Sequence, residues 1–338
     1  MKKTKTMFIY LLSALMLLNL CACASSGEDT AEDGRFHILA SNFPAYDFAC
    51  RIAGERCSVT MLVPPGSEAH SYEPGAQDII ALQNCELLFC NGGVGEAWLE
   101  ILVSGSEREV PVLYMTECVS LLEEERVEGM QKAAHSHEHV HDESCEDEHG
   151  HGHEDAEESH SHTEYDEHVW TSPVNAMAIC RALCEKLCVL DPEGEGIYRA
   201  NLEAYLAELE TLHQGFLETV EGGGRRTVIF SDRFPVRYFV EEYGLEYFAA
   251  FPGCAEEAEP SARTVAFLID RVREDKTPAV FYIEFSNEKM ADVIVEDTGC
   301  EKLLFHSCHN VSADDFESGV SYLQLMTANL ANLKEALG

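Results

Sequence analysis

Residues 195–220, EGIYRANLEAYLAELETLHQGFLETV, carry one apolar stripe at helical spacing: Tyr198, Leu202, Tyr205, Leu206, Leu209, Leu212, Phe216 and Val220. An unbroken helix of that length runs ~39 Å, longer than a typical globular helix. Gly222-Gly223-Gly224 ends it. A helix this long in mid-chain suits a rigid strut between two lobes. Upstream, predicted strands at Phe36–Ala40, Val59–Val63, Glu86–Cys90 and Pro111–Met115 alternate with helices at Ala45–Ala53, Asp78–Gln83 and Val94–Ser104. Asn175–Leu190 is helical and leads into the strut. Downstream, strands at Thr227–Phe230, Ala279–Ile283 and Lys302–Phe305 alternate with helices at Ser261–Glu274 and Asn287–Thr298, and a helix over Ser318–Leu337 closes the chain. Short strands alternating with helices indicate parallel sheets with helices on their faces. The expected fold is α/β: two lobes with separate cores, each a mainly parallel sheet flanked by helices, joined by one long rigid helix. The expected division is 35–190 for the first lobe, 191–222 for the linking helix and 225–338 for the second lobe.

The N-terminus indicates a compartment. Lys2, Lys3 and Lys5 precede an apolar run, Met7–Leu20, too short to span a bilayer comfortably, which reads as the core of a signal peptide. It ends in Leu20-Cys21-Ala22-Cys23, which resembles a bacterial lipobox with small Ala22 before Cys23. Residues 1–22 are expected to be cleaved off, Cys23 to be lipidated, and 24–34 to tether an extracytoplasmic domain to the bacterial cell membrane. The net charge of −38 argues against nucleic acid and anionic membrane surfaces as partners. Fourteen cysteines contain no CxxC pair. Cys180, Cys184 and Cys188 recur on one helical face and read as small buried side chains, while Cys50–Cys57 and Cys85–Cys90 are candidate bridges.

Four candidate metal ligands stand just past strand ends or in adjoining loops. His70 follows Val59–Val63 through the Pro64-Pro65-Gly66 turn, Asp232 lies two residues beyond Phe230, and His306 directly follows Phe305. His168 precedes Ser172-Pro173, which can start a helix. In open α/β sheets the crevice beyond the strands' carboxyl ends is where ligands bind. Two candidates precede the strut and two follow it, so a site between the lobes is expected. Three imidazoles and one carboxylate suit Zn²⁺, whereas Mn²⁺ favours harder, oxygen-rich sites. The alternative leaves Asp232 capping the next helix, with His309 or a water completing the set.

The stretch Val63-Pro64-Pro65-Gly66-Ser67-Glu68-Ala69-His70-Ser71-Tyr72-Glu73-Pro74 resembles the first ligand motif of the metal-binding solute-binding proteins of ABC transporters, the zinc/manganese cluster A-I group. Asp166-Glu167-His168-Val169-Trp170-Thr171-Ser172-Pro173-Val174-Asn175-Ala176 resembles the second. Tyr243-Gly244-Leu245 and Glu257-Ala258-Glu259-Pro260-Ser261 are similar to second-lobe landmarks. The similarity runs from Phe36 to the C-terminus. It implies two lobes joined by a long helix that limits opening, and a ligand set of three His and one Asp or Glu. It also implies a cognate permease with its ATPase as partners, and no catalysis. His70 and His168 carry over directly. At the third position Ser231-Asp232 stands where the family usually has Ser-His, and at the fourth Phe305-His306-Ser307 replaces a Leu-Asp-Pro segment. The two departures compensate, since exchanging His and Asp preserves the donor inventory. The expected ligands are therefore His70, His168, Asp232 and His306, with His309 as an auxiliary donor. The expected cargo is Zn²⁺ before Mn²⁺, and the expected state is a monomer.

Between about 123 and 167 the chain loses apolar periodicity and is expected to be a disordered acidic loop. His135, His137, His139, His141, His149, His151, His153, His160 and His162 stand there, among the thirteen carboxylates between His135 and Glu167. Such a segment either collects or senses zinc near the cleft or is a solvated insert that binds metal incidentally, and its spacing fixes no geometry for a tight site. Two other function classes compete with metal capture. An exported zinc hydrolase would need a general base, for which Glu284 past a strand is the candidate, and an open metal position, which four protein ligands do not leave. An adhesin fits the lipid anchor and leaves the ligand constellation unexplained. Deleting residues 133–163 is expected to leave one tight zinc site in calorimetry, and loss of tight binding would move the site into the loop.

Overall fold

The computed structural model describes residues 35–68, 71–131, 165–253, 255 and 260–338. The signal peptide, Cys23 and the tether lie outside them, as do Ala69, His70, Glu257–Glu259 and the nine loop histidines. In the first lobe β1 (Phe36–Ala40), α1 (Phe43–Ala53), β2 (Cys57–Met61), α2 (Ala76–Asn84), β3 (Leu87–Cys90), α3 (Trp98–Ser104) and β4 (Val112–Tyr114) follow in order. Next come α4 (Pro173–Leu190) and α5 (Glu195–Gly222). The second lobe holds β5 (Thr227–Phe234), α6 (Arg237–Tyr243), β6 (Glu246–Pro252), α7 (Ala262–Asp275), β7 (Ala279–Tyr282), α8 (Lys289–Thr298), β8 (Glu301–Leu304), α9 (Ala313–Glu317) and α10 (Tyr322–Leu337).

Each lobe is a four-stranded parallel sheet. The orders are β2-β1-β3-β4 and β6-β5-β7-β8, the same pattern twice. In both, the second and third strands of the sequence lie on opposite sides of the first, which opens a crevice at the carboxyl ends of the first and third. The helix starts follow local chemistry. Asn42 caps α1 by accepting from the Ala45 N–H at 3.2 Å, with Pro44 in the first turn. Ser172 does the same for α4, with Pro173 at its first position.

α5 spans 28 residues. Tyr198, Tyr205, Leu209, Leu212, Phe216 and Val220 are buried, and Leu202 and Leu206 pack partly buried beside them. This stripe rests on α1 and α4 from one lobe and on α10 from the other. The expected separation of cores does not occur. One continuous core contains Ile38, Ala40, Leu87 and Phe89 from the first sheet and Val228, Phe230, Ala279 and Phe281 from the second. The pleat explains the rest: Leu39 and Leu88 point to an outer cluster under α2 and α3, and Ile229 and Val280 to another under α7 and α8. The lobes are thus two sheets that share an interior built around α5.

Three local readings change. β6 and α6 were not foreseen. Tyr247, Ala249, Ala250 and Phe251 are buried, so no alternation marks the strand, and the seven-residue α6 is ended by left-handed Gly244. β5 runs on past Phe230, with a register shift between Phe230 and Arg233 that places Ser231 and Asp232 in a bulge. The final helix, expected from Ser318, begins only at Tyr322, after the cap Ser321, whose side chain forms a capping box with Gln324. Cys50, Cys57, Cys85 and Cys90 are free thiols, and Cys180 and Cys184 are buried. Cys85 precedes β3 and Cys90 ends it, and extended chain between them holds them roughly 15 Å apart, beyond disulfide reach. Phe216→Ala is expected to destabilise the protein by about 3–5 kcal/mol. Because the core is shared, calorimetric melting should remain one transition rather than split by lobe.

Candidate metal centre

The loops leaving β2, β5, β7 and β8 meet the segment before α4 at the carboxyl edge of both sheets. After β2 the chain turns through Pro64–Glu68. The Asn310 side-chain N–H₂ donates to the carbonyls of Pro64 and Ser67, each at 2.8 Å, and the Gly66 N–H donates to Val311 at 2.7 Å. The first-lobe turn that leads to His70 is therefore held by the loop after β8.

His168 is 1% exposed. Its backbone N–H and its ring Nδ1 lie 2.8 and 3.1 Å from Asp166 Oδ1. An ionised carboxylate only accepts, so Nδ1 carries the proton and Nε2 keeps the lone pair, the form that ligates metals. Burial pulls the His168 pKa down, but the charge and hydrogen bond of Asp166, aided by Glu167, outweigh it and raise the pKa; Arg233 acts in the opposite sense. A Cβ at Gly253 would stand 3.3 Å from His168 Cε1, so the absence of a side chain there makes room for the ring. Trp170, wholly buried, donates from Nε1 to the Ser307 carbonyl at 2.8 Å and accepts at its own carbonyl from the Tyr322 hydroxyl at 2.7 Å.

Beyond β8, Asn329 fixes the His306 peptide by accepting from its N–H at 2.7 Å and donating to its carbonyl at 2.8 Å. Cys308 adopts φ 63°, a left-handed conformation rare outside glycine, and its N–H donates to His306 Nδ1 at 2.9 Å. The His306 ring thus spends the Nδ1 lone pair on the backbone, and its neutral form has the proton on Nε2. After that turn His309 presents its ring 5.6 Å from that of His168 and 5.1 Å from Trp170. Glu284, two residues past β7, accepts from the Ser307 N–H at 2.7 Å and from the Ser307 hydroxyl. In the β5 bulge, Asp232 Oδ1 accepts from the Arg233 N–H at 2.8 Å. Burial raises the Asp232 pKa against the hydrogen bond from Ser286.

A cavity of ≈ 30 Å³ lies at this junction, with His168, His309, Glu284, Glu68, Arg233 and Gly253 in its wall. That is room for an ion or a water, not for an organic ligand. Of the predicted ligands, His168 and the auxiliary His309 face it. Among the described residues Asp232 and His306 are not part of its lining. Also among these, no three His, Cys, Asp or Glu side chains are gathered closely enough to hold an ion by themselves. Two imidazoles bound tetrahedrally to one Zn²⁺ through bonds of about 2.1 Å place their ring centres ~5 Å apart, which the His168–His309 spacing approaches. Sequence reasoning passed over Arg233 and Asp166 as site residues and gave Glu284 only a hydrolytic role. Glu284 stands past a strand end by the same logic that selected the other ligands.

The architecture and the ion-sized cavity define a two-lobed α/β binding protein. The chain belongs to the family described as zinc-uptake complex component A, periplasmic (ZnuA), whose model matches residues 38–336. It is 26% identical over 330 residues to the zinc-binding lipoprotein AdcA of Streptococcus pneumoniae, covering 96% of this chain and 60% of that protein. It therefore spans about three-fifths of that relative. It is 26% identical over 332 residues to the high-affinity zinc uptake system protein ZnuA of Bacillus subtilis, covering 97% of each. To the manganese-binding lipoprotein MntA of Halalkalibacterium halodurans it is 28% identical over 343 residues, covering 95% of this chain and all of that one. The Zn(II)-bound ZnuA-like domain of Streptococcus pneumoniae AdcA superposes with a TM-score of 0.70 at 22% identity, over 90% of this chain and 99% of that one. Among the described residues no helix is long and apolar enough to cross a membrane. Asp166→Asn is expected to weaken zinc binding by roughly 10- to 100-fold. It should also lower the His168 pKa, so that the loss of affinity on acidification sets in at lower pH, as binding titrations from pH 8 to 5 would register.

Proposed function

We propose that this chain is the zinc-capturing subunit of an ABC importer, held outside the cytoplasm by a lipid on Cys23 and acting as a monomer. It binds Zn²⁺ between its lobes and passes it to a membrane permease whose ATPase drives import. The observation that carries this is the pair of imidazoles, His168 and His309, lining a cavity sized for one ion beside the Glu284 carboxylate. Membership of the zinc-uptake family supports it.

The ligand set we propose takes His168, His309 and Glu284 from the cavity wall and His70 from the motif read in the sequence; the first three do not form a close cluster as they stand, so they draw together around the ion on binding. This set keeps the expected inventory of three imidazoles and one carboxylate. Asp232 and His306, the ligands expected from strand ends, then serve from behind: His306 fixes the left-handed turn that presents His309, and Asp232 shapes the bulge that carries Arg233. Glu284 receives two hydrogen bonds from Ser307 and still has lone pairs for an ion, the usual outer-shell arrangement of a ligating carboxylate. Manganese is the second reading, favoured by the manganese-binding relative. The imidazole-rich set opposes it, because manganese sites are oxygen-rich.

Nothing covalent happens to the cargo. Neutral imidazoles bind the ion, so acid weakens affinity as they protonate. The test is calorimetry on tag-free protein with zinc and manganese in competition. His168→Ala, His309→Ala and Glu284→Gln should each weaken zinc binding by on the order of 100-fold. His306→Ala should cost less than about tenfold. Tight binding in His309→Ala together with its loss in His306→Ala would return the ligand role to His306.

A further inference from the structure

Arg233 is an unexpected wall for a cavity that binds cations. It stands in the β5 bulge and lines the same space as His168, His309 and Glu284. Its Nη1 and Nη2 lie 3.3 and 3.4 Å from Glu68 Oε2, in the turn after β2, so the ion pair crosses from the second lobe to the first. A guanidinium keeps its charge at any working pH. The Arg233 side chain is 17% exposed and that of Glu68 is 40% exposed. A pair of that kind contributes little to stability. The lobes are in any case tied by the Asn310, Gly66 and Trp170 hydrogen bonds. Stability therefore does not account for the placement of this charge.

Its consequence is electrostatic. With Glu68 engaged by Arg233, the cavity offers an incoming ion, among the described residues of its wall, one uncompensated carboxylate, Glu284. Glu68 also lies only two residues before His70, the first-lobe ligand expected from the sequence. We propose that Arg233 is an affinity-limiting residue of the cargo site: its guanidinium competes with the metal ion for Glu68 across the lobes and keeps the bound ion releasable. This rests on the zinc-capture reading. A carrier must give up its cargo, and a fixed positive charge in the cavity wall raises the free energy of the loaded state without removing a ligand. The effect is the same for any divalent ion, so Arg233 sets the strength of binding and leaves the choice of metal to the donors.

The proposal has a signature that a plain lobe-to-lobe tie lacks: breaking one ion pair from its two ends moves affinity in opposite directions. Zinc affinity is measured on the full chain by competition with a chelating dye, and release by stopped flow into excess chelator. Arg233→Gln should tighten zinc binding by roughly tenfold or more, chiefly through slower release, because it removes a positive charge and frees Glu68. Glu68→Gln should weaken binding by a similar factor, because it leaves Arg233 uncompensated. The double variant should fall between the two, and Arg233→Lys, which keeps the charge, should stay within about threefold of the parent. Two single variants shifted in the same direction, or an unchanged Arg233→Gln, would overturn the proposal. A parent chain that binds no zinc tightly would overturn the zinc-capture reading itself, so the two failures are distinct.

Discussion

The indole of Trp170 joins the two halves of the site. Its N–H ends on the Ser307 carbonyl of the loop after β8, its own carbonyl accepts from Tyr322 on α10, and its ring packs against both His168 and His309, with centroids 5.5 and 5.1 Å away. A buried indole N–H without an acceptor is costly, so the segment bearing His168 and the loop bearing His309 keep their spacing together or lose that hydrogen bond. Everything around the cavity is arranged on this pairing. Asn310 then draws the first-lobe turn onto the same loop, and Asn329 anchors that loop to α10. The shared core around α5 adds a coarser restraint, since hinging the lobes widely would expose apolar surface that both sheets bury.

The segment that presents His168 is supported from the first lobe as well. Glu167 Oε2 accepts from the Gly95 N–H at 2.8 Å, and its carbonyl accepts from the Asn91 side chain at 2.9 Å. Gly93 makes this possible with φ 111°, since a Cβ there would stand 2.5 Å from Glu167 Oε2. Glu96, fully buried beside it, has its pKa pushed up to about 7, by burial above all and also by the Glu167 charge. Its Oε2 accepts from the Gly92 N–H at 2.8 Å. The loop after β3 thus spends its backbone donors on two carboxylates. It orients the chain from Asp166 to His168 without entering the cavity.

Periodicity carried most of the architecture. The stripe from Tyr198 to Val220, the short strands and the turn residues sufficed for two parallel sheets around a long helix. β6 escaped because a strand buried on both faces has no alternation to read. The joining of the cores escaped because apolar residues on a strand reveal that a face is covered, not which lobe covers it. Ile38 and Phe230 look alike in sequence whether they meet helices of their own lobe or a common one.

The site shows where strand-end reasoning stops. The rule names loops correctly, since the chain after β2, β5, β7 and β8 does converge on one cavity. Within a loop it can only favour the first ligand-type residue, and two local backbone features decide differently here. The bulge in β5 carries Arg233, rather than Asp232, into the wall of the cavity. The left-handed turn at Cys308 ties the His306 ring to the backbone and lets His309 reach the cavity three residues later. Neither feature has a sequence signature, because Asp-Arg and Ser-Cys-His contain no glycine or proline to mark the irregular backbone. What survives both shifts is the donor chemistry. In the proposed site three imidazoles and one carboxylate would still select a borderline-soft divalent ion, whichever residue of each loop supplies the donor. On the proposed ligand set the donors are thus legible as an inventory before they are legible as residues, while Arg233, a charge no inventory would include, lines the same cavity.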